Sequence, residues 1–316
     1  MSALNQPQFK TPEAARSYLE ALRWPNGAVC PHCGVIGDHY ALQGKATRPG
    51  VWKCHACREQ FSVTVGTVFE KSKIKLNVWL QAVFLLCSSK KGMSSHQLHR
   101  ILGVTYKTAW FMTHRIREAM KSDGGMLGGG GKIVEVDETY FGNKEGSKAR
   151  IRKLKRQGKH RGGAAMKEKN AIVALVEREG QVRAMHVPSV TQENLSAALF
   201  RNMATDSHLM TDESTRYWNL GKAFDQHSSV NHARKEYARG NVTTNTVEGF
   251  FSVLKRGLIG TYHHVGENHL QRYVEEFSFR YNNRTALGVT DAERANKALR
   301  QIGGKRLTYR RINEAA

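Results

Sequence analysis

Hydrophobic positions along this chain change period several times, and each change marks an element. Between residues 245 and 258, Val247, Phe250, Phe251, Leu254 and Leu258 recur at i, i+3, i+4, i+7 and i+11, one stripe of an α-helix. Glu248 and Lys255, seven residues apart, project side by side along one flank of that stripe. An acid and a base in line beside a buried face suit a metal ligand with a phosphate contact next to it, or a solvated pair on an ordinary amphipathic helix. Upstream, residues 133–142 form a β-branched strand with acids toward its end. Residues 170–176 and 182–187 flank a turn at Glu179-Gly180 and predict a hairpin. A helix starts at Thr191 and runs to about Met203, and a short apolar strand over 207–211 ends on Asp212. A helix near Tyr217-Leu220 and a strand near Val230 complete three strands, helix, strand, helix, strand, helix, the order of a mixed α/β sheet.

The first half reads differently. Thr11-Pro12-Glu13 supplies a cap, a proline at the first helical position and an early acid, and Tyr18, Leu19 and Leu22 make one apolar face before Trp24-Pro25. Residues 76–120 are helical in pattern, densely apolar up to Cys87, which reads as a core thiol. After Gly92 comes a capped helix, a Leu-Gly-Val turn at 102–104 and a second helix carrying Lys107, Thr108, Trp110, His114 and Arg115. That pattern fits a helix-turn-helix with a basic second helix for the major groove, or simply a tight helical hairpin. Six glycines within residues 124–131 mark a linker and a domain boundary.

Composition narrows the partner. Lys+Arg 49 against Asp+Glu 27 gives a net charge of +22, which predicts a polyanion. No apolar run approaches the roughly 18–20 residues of a membrane span, and the N-terminus lacks a signal pattern, so no membrane is expected and nucleic acid is the better partner. Four of the five cysteines form two pairs, Cys30/Cys33 and Cys54/Cys57. Two such knuckles at this separation predict a structural four-cysteine Zn²⁺ site in a ribbon, in a reducing compartment, with His32 and His55 as bystanders. Residues 148–169 carry ten Lys/Arg and one acid, among them Arg152, Lys153, Lys155 and Arg156, and read as a mobile basic loop along a phosphate backbone.

Two strands of the second half end in carboxylates, Asp137 and Asp212, and the helix offers a third, Glu248. Here the chain resembles DDE-type recombinases, whose RNase H-like domain carries Asp on the first strand, Asp after the fourth and Glu on a following helix. VEVDETYFG, HLMTDES, NTVEGFFSVLKRG, YHHVGENHLQRY and EFSFRYNNR, in this order, are similar to one bacterial insertion-sequence transposase family in which a zinc ribbon precedes the catalytic domain. The resemblance spans Phe9 to about Arg284. It implies that Asp137, Asp212 and Glu248 hold two Mg²⁺ (or Mn²⁺) ions, and that Lys255, with Arg256, lies near the DNA end. Asn245 shares roughly the helix face of Glu248, but Glu248 is charged and correctly spaced from Lys255. Glu135 alternates onto the side of Asp137, one step further from the strand end.

The resemblance further implies double-stranded DNA partners (terminal repeats and target), a homo-oligomer on DNA, and a cytoplasmic, nucleoid-associated protein. A DNA-binding regulator without activity and a nuclease that cuts without joining are the alternatives. The expected layout is an N-terminal helix (1–28), zinc ribbon (29–70), helix-turn-helix-like region (71–123), glycine linker (124–131), RNase H-like domain (132–285) and basic tail (286–316). His263, His264 and His269 read equally as DNA-end contacts or as packing residues, whereas Tyr273, Phe277, Phe279 and Tyr281 read as the face of a C-terminal helix.

Overall fold

The computed structural model describes residues 3–44, 46–122, 124–159 and 166–308. The chain divides into two compact units, Met1–Lys121 with Thr285–Ala316, and Ser122–Arg284.

In the first unit, a short α1 (Pro7–Lys10) leads into α2 (Pro12–Arg23), whose cap is the Thr11 hydroxyl accepting from the Ala14 amide. The ribbon follows as β1 (His39–Ala41), β2 (Trp52–Cys54) and β3 (Gln60–Phe61), antiparallel in that order. The third strand is short because the chain turns at 63–66. Helices α3 (Leu76–Ser88), α4 (Ser95–Leu102) and α5 (Tyr106–Met120) come next, with Gly103 left-handed at φ 64° between the last two. Ser94 and Thr105 cap α4 and α5 through Gln97 N–H and Thr108 N–H.

In the second unit, β4 (Ile133–Asn143) lies at the centre of a five-stranded sheet. Helix α6 (Ser147–Arg156) leads to β5 (Lys169–Glu177) and β6 (Val182–Val187), then α7 (Gln192–Asn202), β7 (His208–Thr211), α8 (Arg216–Gly221) and β8 (Gln226–Ser229). The strand order β6-β5-β4-β7-β8 is antiparallel through β6, β5 and β4 and parallel through β4, β7 and β8. A small hairpin, β9 (Ala238–Arg239) and β10 (Val242–Thr243), precedes α9 (Asn245–Gly257) and α10 (Glu267–Asn282). Alternation in β4 and β5 divides the core. Val134, Val136, Val173 and Leu175 pack with α7 and α8, while Ile172, Ala174 and Val176 meet Val247, Phe250, Leu254 and Phe277 of α9 and α10.

Three expected segments are corrected. The glycine stretch is not a free linker: the amides of Gly128, Gly129 and Gly130 donate to Glu177, Ser207 and Asp206 of the second unit. A Cβ at Gly128 would meet the Ser207 hydroxyl at 2.0 Å, and its φ is 77°, so close approach and backbone hand both demand glycine there. The basic stretch is not a loop throughout, because residues 147–156 are helical and Arg150 grips Glu168 through Nε at 2.9 Å; part of the expected loop, 160–165, lies outside the described residues. The C-terminal stretch is not a tail. It forms α11 (Asp291–Arg300), with a full capping box at Thr290/Glu293, and buries Ala295, Ala298, Leu299 and Ile302 in the first unit. Lys305 there donates to the Ala119 and Lys121 carbonyls, while Arg310 and Arg311 lie outside the described residues.

Candidate active site

The ribbon brings its four cysteines together. One sulfur from each lies within 4.8 Å of the others, with Cys30–Cys57 and Cys33–Cys54 at 3.6 Å. Sulfurs bound to one tetrahedral Zn²⁺ at about 2.3 Å stand roughly 3.8 Å apart, so the donor set fits that ion. Backbone amides of Val35, Cys57 and Glu59 point at the sulfurs of Cys33, Cys54 and Cys57. The Cys57 amide leads in bringing the Cys54 thiol down to about 7, while burial and the neighbouring sulfurs raise Cys33 and push Cys57 up to about 12, a mutual opposition that a bound cation would relieve. His32 and His55 are exposed and outside the cluster. The local core is small, Ala28 and Phe61 beside the sulfurs, so the metal carries much of the folding free energy.

The carboxylates assemble from three elements. Parallel register pairs Val134 with Leu209 and Glu135 with Met210, so its continuation sets Asp212, just past the end of β7, against Asp137 of β4. The carboxyl ends of adjoining strands are where α/β sheets place ligands. Asp137 accepts from the Glu138 amide at 2.7 Å, and Asp212 from the Ser214 amide at 3.0 Å. Burial first, and then the charges of Glu138, Asp212 and Glu248, push the Asp137 carboxyl up to about 7 against the pull of that amide. Burial also raises Asp212. Asp212 and Glu248 thus lie near enough to Asp137 to raise it, although among the described residues only the four cysteines form a group of three or more whose ligand atoms all lie within 4.8 Å of one another. Such hard oxygen donors suit Mg²⁺ or Mn²⁺, whose charge would relieve the repulsion.

Glu248 stands in the first turn of α9, exposed, with its carboxylate taking the Thr244 hydroxyl at 3.1 Å and His232 Nε2 at 3.6 Å. Asn245 is exposed at the start of the same helix, its amide donating to the Thr243 hydroxyl. Lys255 and Arg256 lie exposed in the last turn, while the stripe from Val247 to Leu258 is buried.

Glu135 is not part of that set. Fully buried, it accepts from Arg178 Nε at 2.7 Å, from the Thr246 and Val247 amides at 2.7 and 3.0 Å, and from the Thr246 hydroxyl at 2.9 Å. Arg178 also donates to the Asn241 and Thr243 carbonyls. This ion pair fastens the positive end of α9, and with it Glu248, to β4 two residues from Asp137. On the opposite face of β4, Glu138 takes the Tyr217 hydroxyl at 2.7 Å and pairs with Arg216 at 3.5 Å. Sequence reasoning missed Arg178, Tyr217 and His232 as partners. The only signal was the two-residue alternation that puts Glu135 and Asp137 on one face.

The expected DNA-contacting residues separate into two groups. Lys107, Arg152, Lys153, Lys155, Arg156, Lys255 and Arg256 are exposed, and Thr108 is half-buried. His114 and Arg115 are corrected: both are buried, and the Arg115 guanidinium donates to the backbone carbonyls of Glu70 and Leu307. From Met112 to Arg117 every residue of α5 is buried, so this helix offers DNA only its first turn and is no recognition helix along its length. Tyr273, Phe277 and Phe279 are packed in the core as expected, and His263 and His264 are exposed.

A five-stranded sheet of this order, with acids on its first strand, after its fourth and on a following helix, is the RNase H-like arrangement of a DDE-type domain. Residues 126–282 match the ISXO2-like transposase domain, and residues 10–60 match the transposase zinc-ribbon domain. The chain belongs to this insertion-sequence transposase family. Over 285 residues it is 27% identical to an uncharacterized protein in transposable element ISH50 of Halobacterium salinarum, covering 86% of this chain and 91% of that protein. Among the described residues, no helix is long and apolar enough to cross a membrane.

Proposed function

We propose that this transposase cuts DNA at the terminal repeats of its element and joins the freed 3′-hydroxyl to target DNA, using Asp137, Asp212 and Glu248 to hold two Mg²⁺ (or Mn²⁺) ions. What carries the reading is the parallel register that sets Asp212, just past β7, against Asp137 of β4, with burial and the charges of Glu138, Asp212 and Glu248 pushing the Asp137 carboxyl up to about 7. When bound, the two ions would clamp the scissile phosphate and lower the cost of charge on the attacking and leaving oxygens.

The protein's own residues do the rest. Asp137, from the central strand, would hold the ions together with Asp212 and Glu248. Glu135 and Arg178 keep α9 in register with β4. Lys255 and Arg256, two helical turns beyond Glu248, bind phosphates of the DNA end, and the exposed cations of α6 track the backbone further out. In the first step water attacks phosphorus and the 3′ oxygen leaves. In the second, that 3′-hydroxyl attacks a target phosphorus and a target 3′ oxygen leaves, so neither step needs a covalent enzyme intermediate. The ribbon and the helical unit bind the repeats, the protein acts as a homo-oligomer bridging two DNA ends, and it works in the cytoplasm at the nucleoid.

The test supplies labelled terminal-repeat ends, target DNA and Mg²⁺, and sequences the strands produced. Cleaved ends joined to target, lost in Asp137→Asn and Asp212→Asn with end binding kept, support the reading. Cleavage without joining would make the protein a nuclease, and binding without either a regulator.

A further inference from the structure

The first unit contains a cleft of about 750 Å³ between residues 71–74 and the first turn of α5. Its walls carry the rings of Trp79, Tyr106, Trp110 and Phe111. Four cations line it as well, Lys71, Lys73, Lys107 and Arg115, and no acid is among the lining residues. Arg115 is only 6% exposed, its guanidinium 5.0 Å over the Phe111 ring and 6.0 Å from that of Trp79. Its hydrogen bonds go to backbone carbonyls, and the nearby Glu70 carboxylate, which meets Arg306 at 3.9 Å, offsets part of its charge and leaves Lys71, Lys73 and Lys107 as the cleft's free excess. Tyr106 is steadied by His96, stacked at 4.2 Å. The α5 N-terminus adds the positive end of its dipole.

Aromatic walls with uncompensated positive charge suit one chemistry, a flat ring flanked by phosphates. The volume is in the range of about 300–1,000 Å³ that holds one small aromatic ligand. A stacked duplex, whose major groove alone is about 12 Å wide, does not enter it. We propose that the cleft receives a single nucleotide turned out of the DNA stack, its base against the rings and its flanking phosphates on Lys71, Lys73 and Lys107. This rests on the transposase reading only for the choice of DNA as polyanion. It also accounts for a helix that, buried beyond its first turn, has no long face to lay in a groove.

An unpaired base is the least costly to extrude, so the probe is a short duplex with one unpaired thymidine, compared with the paired duplex by fluorescence anisotropy of the full zinc-loaded chain. The unpaired probe should bind about tenfold tighter. Tyr106→Ala and Lys73→Ala, both at exposed positions with melting checked against the parent, should erase that preference and keep paired-duplex binding. A 5-iodouracil at the unpaired position should cross-link to peptides containing Tyr106 or Trp110. Equal affinity for both probes, a preference that survives both variants, or cross-links confined elsewhere would overturn the cleft and leave the transposase reading intact. Competition by free thymidine monophosphate at the concentration of the probe would overturn it in favour of a mononucleotide site. Failure to bind either duplex would overturn both readings.

Discussion

The cysteine cluster of the ribbon and the acids proposed to hold Mg²⁺ are built on opposite principles. In the ribbon, four sulfurs close on one point and backbone amides aim at three of them, yet the thiols oppose one another's ionisation, so that Cys54 falls to about 7 while Cys57 rises to about 12. In the second unit, Asp137 and Asp212 each receive one amide while burial and like charge work against ionisation. A closed four-sulfur set holds an ion for folding, whereas an open carboxylate set would keep coordination positions and electrostatic drive for a substrate.

The contrast can be broken most forcefully at the ribbon. Cys30→Ser should remove most of the zinc-linked folding free energy, of the order of 10 kcal/mol in small zinc modules. The ribbon resonances of an NMR spectrum should collapse while those of the second unit persist; a ribbon that stays folded without zinc would end the distinction. The next largest effect belongs to the clamp under the acids. Glu135→Ala leaves Arg178 uncompensated and should cost about 3–5 kcal/mol in denaturant unfolding. Glu135→Gln, which keeps the amide contacts of α9, should cost less and retain more Mn²⁺ affinity by calorimetry. Equal loss in both would make the pair mere packing.

Asp137→Asn should act in the reverse direction. The folded carboxyl keeps its proton up to about 7, whereas in the unfolded chain it releases it near 4. The folded state therefore binds the extra proton between those values, and the metal-free protein loses stability as pH rises through that window. At pH 8 the variant should be more stable than the parent by roughly 1–3 kcal/mol, and Mn²⁺ should raise the melting temperature of the parent alone. A destabilised variant would show the acids to be matched after all. The smallest effect is expected at α6. Lys153→Ala or Arg156→Ala should each leave one phosphate unneutralised and lower the salt-dependence slope of DNA binding by about 0.9.

Much of the second unit was legible because its signals are local. The strand signals on either side of the Glu179-Gly180 turn gave β5 and β6, the Thr191 cap gave the start of α7, and the stripe from Val247 to Leu258 gave α9 with its buried face. The proposal of Asp137, Asp212 and Glu248 rests on resemblance rather than period, since nothing in the local pattern tells Asp137 from Glu135 or Glu138. What separates them is partnership: Arg178 and the α9 amides claim one neighbour, Tyr217 and Arg216 the other. The failures have the same origin. Glycines that look like a tether are shaped to lie against Ser207 and Asp206, and cations that look solvated, such as Arg115, are buried on carbonyls far away in sequence. A helical run rich in Lys and Arg hid α6, whose like charges oppose the fold its Ile151 and Leu154 support.

The return of α11 to the first unit makes the second unit an insertion within the first. During synthesis the early helices must therefore wait, with apolar surface bare, until residues beyond 290 leave the ribosome, while the inserted sheet is free to fold. A product truncated after Arg284 would keep Asp137, Asp212 and Glu248 yet lack the helix that covers α3, leaving the core of the first unit open however well the inserted sheet folds.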